Sequence, residues 1–269
     1  MRQIPIWMFI LAGQYGCAEE EERPELIPVC EDSCDPGAGQ SGGSGPSSST
    51  TSGNATTGGG DAITLNGNLS VFANDRFELE AALPFVESAT VFSQDPDSRI
   101  ISAVYDGVEF SLTNLQSGEA TAVLAVPDDP NGLPWPTLLR VDTLESRTVT
   151  LPLVSSEVLN EIYSGLGTQP GLEGDRGQLI LRFSDENLVP LPGVRVDVPG
   201  AGFIAYAEGA GWSEDAEETD ASGLVIAGNV LATDFPGSAF NVSTSGAAVG
   251  SWVVTVIAGA ASYDSLIAL

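Results

Sequence analysis

The stretch Gly177-Gln-Leu-Ile-Leu-Arg-Phe183 is followed by Leu191-Pro-Gly-Val-Arg-Val-Asp-Val198, and apolar residues alternate with other residues through much of both segments. Thr219-Asp-Ala-Ser-Gly-Leu-Val-Ile226 and Pro236-Gly-Ser-Ala-Phe-Asn-Val-Ser243 add further short apolar runs behind turn sequences. Alternation with a period of two is typical of half-buried strands, and Pro-Gly or Asp-x-x-Gly sequences are typical of the turns between them. These segments therefore predict a small antiparallel β-sandwich.

Residues 177–257 resemble the carboxypeptidase regulatory-like (transthyretin-like) module. The Pro192-Gly193 turn is similar to the opening motif of that family, and Thr219-Asp-Ala-Ser-Gly223 is similar to its Thr-Asp-x-x-Gly hairpin. Earlier in the chain, Asp106-Gly-Val-Glu-Phe-Ser-Leu-Thr-Asn-Leu resembles another hairpin of the same family. The resemblance implies accessory modules without an active site, which serve as spacers, assembly surfaces or weak binders of protein or glycan.

Period-two alternation also recurs between residues 62 and 154, for example in Phe77–Leu83 and Val108–Leu112. We therefore predict an all-β fold class with two Ig-like or transthyretin-like antiparallel β-sandwich modules. The modules span residues 62–154 and 175–269, and a short helix and connector at residues 155–174 joins them.

The connector carries the chain's helical signal. Ser155 can cap the helix and Gly165 can end it. Such a short helix needs a surface to pack on, so we expect its apolar face to pack against a sandwich. The residues of this face are Val158, Leu159, Ile162 and Tyr163.

The first 61 residues have the pattern of a targeting signal followed by a spacer. Residues 1–17 place one arginine before an apolar run, as a secretory signal peptide does, and the Gly16-Cys17 pair at its end resembles the lipobox of bacterial lipoproteins. We expect lipidation at Cys17, although Gln14 stands where lipoboxes carry Leu, Val or Ile, so an ordinary secreted or periplasmic protein stays the alternative. Residues 18–61 are acidic and rich in Gly, Ser and Thr, which predicts a disordered tether.

The cysteine count agrees with this plan. Lipidation of Cys17 leaves Cys30 and Cys34 as an even pair in an exported chain. Their spacing is one residue longer than a redox Cys-x-x-Cys motif, and further zinc ligands are missing nearby. We predict a disulfide between Cys30 and Cys34.

Composition excludes several kinds of chemistry. The chain has no histidine, its nine basic residues are all arginine, and its formal net charge is −28. Catalytic triads, imidazole metal ligands and Schiff-base lysines are therefore ruled out. Nucleic acid is excluded as a partner because phosphates would be repelled. We predict no catalytic residue, no metal and no cofactor.

Acidic clusters and two tryptophans are the remaining site candidates. Asp95-Pro-Asp97 and Asp128-Asp-Pro-Asn-Gly132 are candidate metal sites. The second faintly resembles a calcium loop but is first of all a turn sequence. Glu214-Asp-Ala-Glu-Glu-Thr-Asp220 could supply carboxylates to a glycosidase, although such a run is usually a solvated loop. A carboxylate pair in a cleft beside Trp135 or Trp212 would favour an enzyme.

These observations predict an exported, non-enzymatic lipoprotein of the outer membrane or cell surface. The membrane is its partner through the lipid at Cys17, and an envelope protein or a glycan is the partner of the folded modules. The alternatives are a carboxylate-based glycan hydrolase and a calcium-dependent adhesin.

Overall fold

A computed structural model describes residues 62–94, 99–117, 121–128, 134–168 and 170–268. The predicted signal peptide and tether lie outside these residues. The same holds for Cys17, Cys30 and Cys34, so their lipidation and disulfide stay predictions.

The described chain is built of seventeen strands and one α-helix. The helix α1 spans Ser156–Gly165, and a short 3-10 turn spans Leu79–Ala81. The strands are β1 (Ala62–Val71), β2 (Leu83–Pro84), β3 (Ala89–Gln94), β4 (Ile100–Tyr105), β5 (Phe110–Gln116), β6 (Thr121–Pro127), β7 (Pro134–Trp135), β8 (Thr137–Val141), β9 (Arg147–Ser155), β10 (Gly177–Ser184), β11 (Val194–Asp197), β12 (Phe203–Glu208), β13 (Gly211–Ser213), β14 (Leu224–Val230), β15 (Ser238–Gly246), β16 (Gly250–Val256) and β17 (Ala261–Ile267).

The strands form three sheets, which confirms the predicted all-β sandwich class. A nine-stranded sheet has the order β13-β12-β14-β10-β17-β8-β6-β3-β4. A five-stranded sheet has the order β2-β1-β9-β7, with β5 also paired to β1, and a three-stranded sheet has the order β11-β15-β16.

The large sheet contains strands from both predicted modules, and the C-terminal strand β17 is the seam between them. β17 pairs in parallel with β10 of the second half and, through Ala261–Tyr263, in parallel with β8 of the first half. The structure differs here from the expectation of two sandwiches connected through a helix. The physical reason is that a parallel pair needs no local hairpin, so residues far apart in sequence can meet.

The two faces of the large sheet are covered differently. Ile180 and Tyr263 point to the face covered by the five-stranded sheet and α1, in a core shared by both halves. Leu179 and Leu266 point to the opposite face, where the three-stranded sheet closes a second core over the second half. Beyond it lies a small third cluster around Leu124 and Leu138. Among the described residues this cluster is closed by loop residues, and the strands of the three-stranded sheet contribute nothing to it.

The helix matches the prediction from the sequence. The Ser155 side-chain oxygen accepts a hydrogen bond from the Val158 N–H at 3.1 Å, which caps the first turn. The predicted apolar face is buried in the shared core; its members are Val158, Leu159, Ile162 and Tyr163.

Replacing Ser155 with alanine is expected to lower the free energy of unfolding by about 1 kcal/mol, because an N–H of the first turn loses its acceptor. Ser164→Ala is the matched control. Ser164 lies inside the same helix and is exposed, and its hydroxyl donates to the Glu161 carbonyl three residues earlier. Its loss should therefore change the free energy of unfolding by less than about 0.5 kcal/mol. Urea unfolding followed by circular dichroism measures both, and equal effects would contradict the capping role.

Candidate functional site

A cleft lies along the seam where β17 meets β8. It consists of two adjoining depressions of about 420 and 1010 Å³. The residues common to both linings are Leu139, Arg140, Trp252, Tyr263 and Asp264. We call this feature the seam cleft, and it exists because strands from the two halves share one sheet.

Asp264 is the half-buried carboxylate of the seam cleft. It sits on the seam strand, and burial raises the pKa of its carboxyl to about 6, while the nearby positive charge of Arg140 lowers the pKa and offsets part of that rise. A carboxyl with this pKa changes charge close to neutral pH. It can accept hydrogen bonds as a carboxylate and donate one as a neutral acid.

The second carboxylate in the cleft, that of Asp142, is bound by groups of its own loop. Asp142 accepts a hydrogen bond from the Leu144 N–H at 2.9 Å, and its other oxygen lies 3.7 Å from the Arg147 guanidinium. Each of the two carboxylates therefore has an arginine neighbour. This arrangement differs from the free acid and free base that a glycoside hydrolase needs on either side of its substrate.

Ser262 is a buried hydroxyl in the lining of the smaller depression. It is 3% exposed. Within the described part of the chain its oxygen has no hydrogen-bond partner. A buried hydroxyl without a partner is costly to the fold, so this oxygen is a candidate contact for a bound molecule.

One wall of the cleft is a strand edge. Five consecutive residues of β16, Ser251 to Thr255, line the smaller depression. Val254 is buried in the second core, and Trp252 packs edge-on against Phe183 with ring centroids 5.9 Å apart. Val253 stays 59% exposed. The floor beside this wall includes Ala122 and Leu138 of β6 and β8.

The acidic loop predicted as a carboxylate source lies elsewhere and is held by local contacts. Glu214 accepts hydrogen bonds from the Thr168 N–H and hydroxyl, at 3.1 and 2.6 Å to the same oxygen. Glu217 and Glu218 each lie 3.5 Å from Arg195. None of these residues lines the seam cleft.

The two tryptophans considered from the sequence are structural. Trp212 is buried, donates its indole N–H to Asp75 at 3.1 Å and packs against Phe77. Trp135 packs against the shared core from β7.

The calcium candidates Asp95, Asp97 and 129–132 lie outside the described residues. Among the residues that the structure does describe, no group of three or more acidic or other metal-ligating side chains comes together.

A separate depression of about 460 Å³ is lined by Arg176, Phe203 and Asn229, among others. The polar side chains at its centre form hydrogen bonds with one another and with the neighbouring backbone. The Tyr163 hydroxyl donates to Gln178, and the Asn229 side chain accepts from the Glu173 N–H at 3.1 Å and donates to the Gly171 carbonyl at 2.8 Å. These contacts fix the connector onto the sheet.

Sequence reasoning missed the residues of the seam cleft, namely Arg140, Trp252, Ser262 and Asp264. One signal was present: residues 235–263 carry no charge, and Asp264 ends that run inside an otherwise uncharged strand. A lone acid in such a strand indicates a special environment. Its partner Arg140 could not be identified, because the pairing of β17 with β8 is not a local property of the sequence.

Within the described residues, no helix has both the length and the apolar character needed to cross a membrane.

Comparisons with known proteins leave this chain without a family. No family model and no curated protein matches it. Solved structures that match this chain at low similarity include the Bacillus anthracis TIE protein (12% identity, TM-score 0.23) and a streptococcal ancillary pilin (10%, 0.25). The shaft pilin SpaA from Lactobacillus rhamnosus GG is a third (8%, 0.21).

These alignments cover 77%, 77% and 76% of this chain respectively, and 33%, 69% and 97% of the three proteins. The chain thus spans about a third of the TIE protein. At these TM-scores the likeness says nothing about function. The class defined by the chain's own geometry is an all-β sandwich protein with a polar cleft at the seam of its large sheet.

Proposed function

We propose that this protein is a non-enzymatic binding element of the cell envelope and that the seam cleft is its binding surface. Lipidated Cys17 would hold it at the membrane, and residues 18–61 would act as the spacer. The supporting observation is the composition of the cleft: an aromatic ring, a buried hydroxyl, apolar floor residues and charges of both signs surround one concave surface. Such mixtures are typical of binding sites.

The charges of the cleft favour binding over catalysis. Asp142 is engaged by Arg147 and by its own turn, and the charge beside Asp264 is that of Arg140. The chain supplies no histidine or lysine as an alternative base. A cleft with paired opposite charges orients a polar ligand and has no second free carboxylate to activate water.

A glycan hydrolase is the second candidate function, and one observation favours it. A carboxyl with a pKa of about 6 is suited to act as a general acid. This alternative requires Asp142 to leave Arg147 and act as the base.

One assay separates the two functions. The full chain is incubated with purified peptidoglycan and with soluble glycans, and both retention and release of reducing sugar are measured. A polypeptide probe is tested in parallel by fluorescence anisotropy. We expect retention of one probe class without sugar release. Release of sugar that is lost in Asp264→Asn would refute the non-enzymatic function, and failure of every probe to bind would refute the binding function.

The matched variants are Arg140→Ala and Arg195→Ala. Both arginines are exposed strand residues, but Arg195 lies on β11, outside the cleft. We expect Arg140→Ala to weaken binding by about tenfold, the effect of losing one charged hydrogen bond, and Arg195→Ala to leave it unchanged. Incorporation of a palmitate analogue in the host cell tests Cys17 separately.

A further inference from the structure

We propose that the free edge of β16 docks an extended segment of a partner polypeptide, which pairs with this edge as an added strand. The inference rests on the proposed function, because it names the ligand class of the seam cleft. Strand addition uses backbone hydrogen bonds for affinity and alternate side-chain positions for specificity.

The edge of β16 lacks the usual protection of exposed strands. β16 pairs with β15 on one side, and among the described residues no strand pairs with its other side. Its seven residues, Gly250-Ser-Trp-Val-Val-Thr-Val256, include no charge and no proline. Natural proteins normally shorten, charge or bulge such edges, since an unprotected edge invites pairing with another chain.

The other sheet edges in the described chain are protected in these ways. β13 has three residues, and β2 and β7 have two each. β11 carries Arg195 and Asp197. β4 has six residues without a charge of its own, and Arg99 and Asp106 bound it at its two ends. β5 is uncharged, but Asn114 interrupts it with a φ of 62°, and its register with β1 shifts. Of these edge strands, β16 is the longest that has no charge within it or beside its ends and no irregularity in its pairing.

The open edge faces a surface that an added strand would cover. It forms one wall of the seam cleft, and the floor beside it contains the half-buried Ala122 and the exposed Arg140 from the first half of the large sheet, whereas Leu138 is already buried under loop residues. The three-stranded sheet ends at β16 and so covers only the second half. A strand added at β16 lies about 4.8 Å away, over this floor, and extends the small sheet across the seam.

Ser262 is the independent observation that points to a ligand here. Its hydroxyl is buried in the same lining and has no partner within the described residues. A peptide carbonyl or N–H lying across the floor would satisfy it.

The net charge of this chain distinguishes between a second copy and a different polypeptide as the molecule that pairs with β16. A second copy of this chain also carries a net charge of −28, which opposes close approach of two copies. The edge also forms a wall of a cleft, and a single extended strand enters a cleft more easily than the edge of a folded body does. The occupant is therefore an extended segment with alternating apolar side chains and a neutral or basic charge.

The probe is a short synthetic peptide of alternating valine and threonine with one arginine at each end, labelled with a fluorophore. The same peptide with prolines in place of the valines is its control, because proline removes the N–H groups needed for pairing. We expect the first peptide to bind the full chain and the second not to bind. Hydrogen exchange of the amides between 251 and 255 that point away from β15, which alternate along the strand, should slow by about tenfold or more in the bound state.

Two variants locate the contact. Val253→Lys places a charge beside the edge and should weaken peptide binding by about tenfold or more. Val104→Lys is the matched control on β4, where the valine is 71% exposed, and it should have no effect. Ser262→Ala should weaken binding by about threefold to tenfold without lowering the unfolding midpoint, whereas a structural hydroxyl would lower the midpoint.

The outcomes separate the inference from the proposed function. Absent peptide binding, equal binding of the proline peptide, or binding without slower exchange in β16 would overturn the inference. Retention of a glycan alone would also overturn it while leaving the proposed function intact. Dimers that Val253→Lys dissociates would identify a second copy as the occupant and overturn it as well. Release of sugar that is lost in Asp264→Asn would refute the proposed function itself.

Discussion

Replacing Phe77 with alanine is expected to lower the free energy of unfolding by about 3–5 kcal/mol. Phe77 is fully buried and lies in the loop after β1, in the first half of the chain. Its ring contacts Phe72 of the same half, with centroids 5.3 Å apart, and Trp212 and Tyr263 of the second half, both with centroids 6.3 Å away. Its removal leaves a cavity between the halves, which neither half can fill alone.

Polar contacts hold this loop in place. The Arg76 guanidinium donates to the carbonyls of Gly209 and Gly211 at 2.7 and 3.1 Å. Arg182 donates to the Arg76 carbonyl at 2.7 Å. Because these bonds hold the backbone against the second half, we expect little collapse around the cavity, which keeps the cost high.

Urea unfolding followed by tryptophan fluorescence measures the effect, since Trp212 is in the contact. Leu79→Ala is the control: Leu79 follows shortly after Phe77 but is 55% exposed, so the expected loss is below about 0.5 kcal/mol. A loss for Phe77→Ala of less than about 1 kcal/mol would contradict the described contact between the halves.

The second large effect concerns the pH dependence of stability through Asp264. Burial raises the pKa of this carboxyl from 3.8 to about 6. The folded chain therefore binds a proton over a pH range in which the unfolded chain has released it. This contribution favours folding fully below about pH 4 and is lost as the pH rises through about 6. At neutral pH the charged carboxylate then costs up to about 3 kcal/mol.

Asp264→Asn removes this titration and keeps the size of the side chain. We expect the variant to be more stable than the parent at neutral pH by about 1–3 kcal/mol, and the difference to shrink between pH 6 and pH 4. The quantity to measure is the difference between the two proteins at each pH, because the many other carboxylates then cancel. A difference that stays constant with pH would show that Asp264 is not buried as described.

Local features of the fold follow from the sequence. Alternation identified strands such as β10 and β11, and the turn glycines Gly107, Gly193 and Gly223 do adopt positive φ, at 92°, 80° and 68°. A turn type depends on a few adjacent residues, so the chain encodes it locally. The helix was predicted for the same reason: its cap and apolar face lie within ten residues.

The seam and its cleft could not be predicted in this way. β17 pairs in parallel with β8 and with β10, and period-two alternation says which face a residue takes but not which strand lies beside it. Arg140 and Asp264 meet only because of that pairing. Arg140 and Asp264 belong to no recognisable sequence motif. The acidic loop at 214–220 was a more conspicuous candidate, but it lies outside the seam cleft.

The central claim is that both halves fold as one sheet through β17, which creates the seam cleft. Native-state hydrogen exchange of the full chain in increasing urea tests it most directly. We predict that amides of β6 in the first half and of β14 in the second half share one free energy of opening, to within about 0.5 kcal/mol, and one dependence on urea. Two separate free energies, each changed only by substitutions in its own half, would contradict the shared sheet.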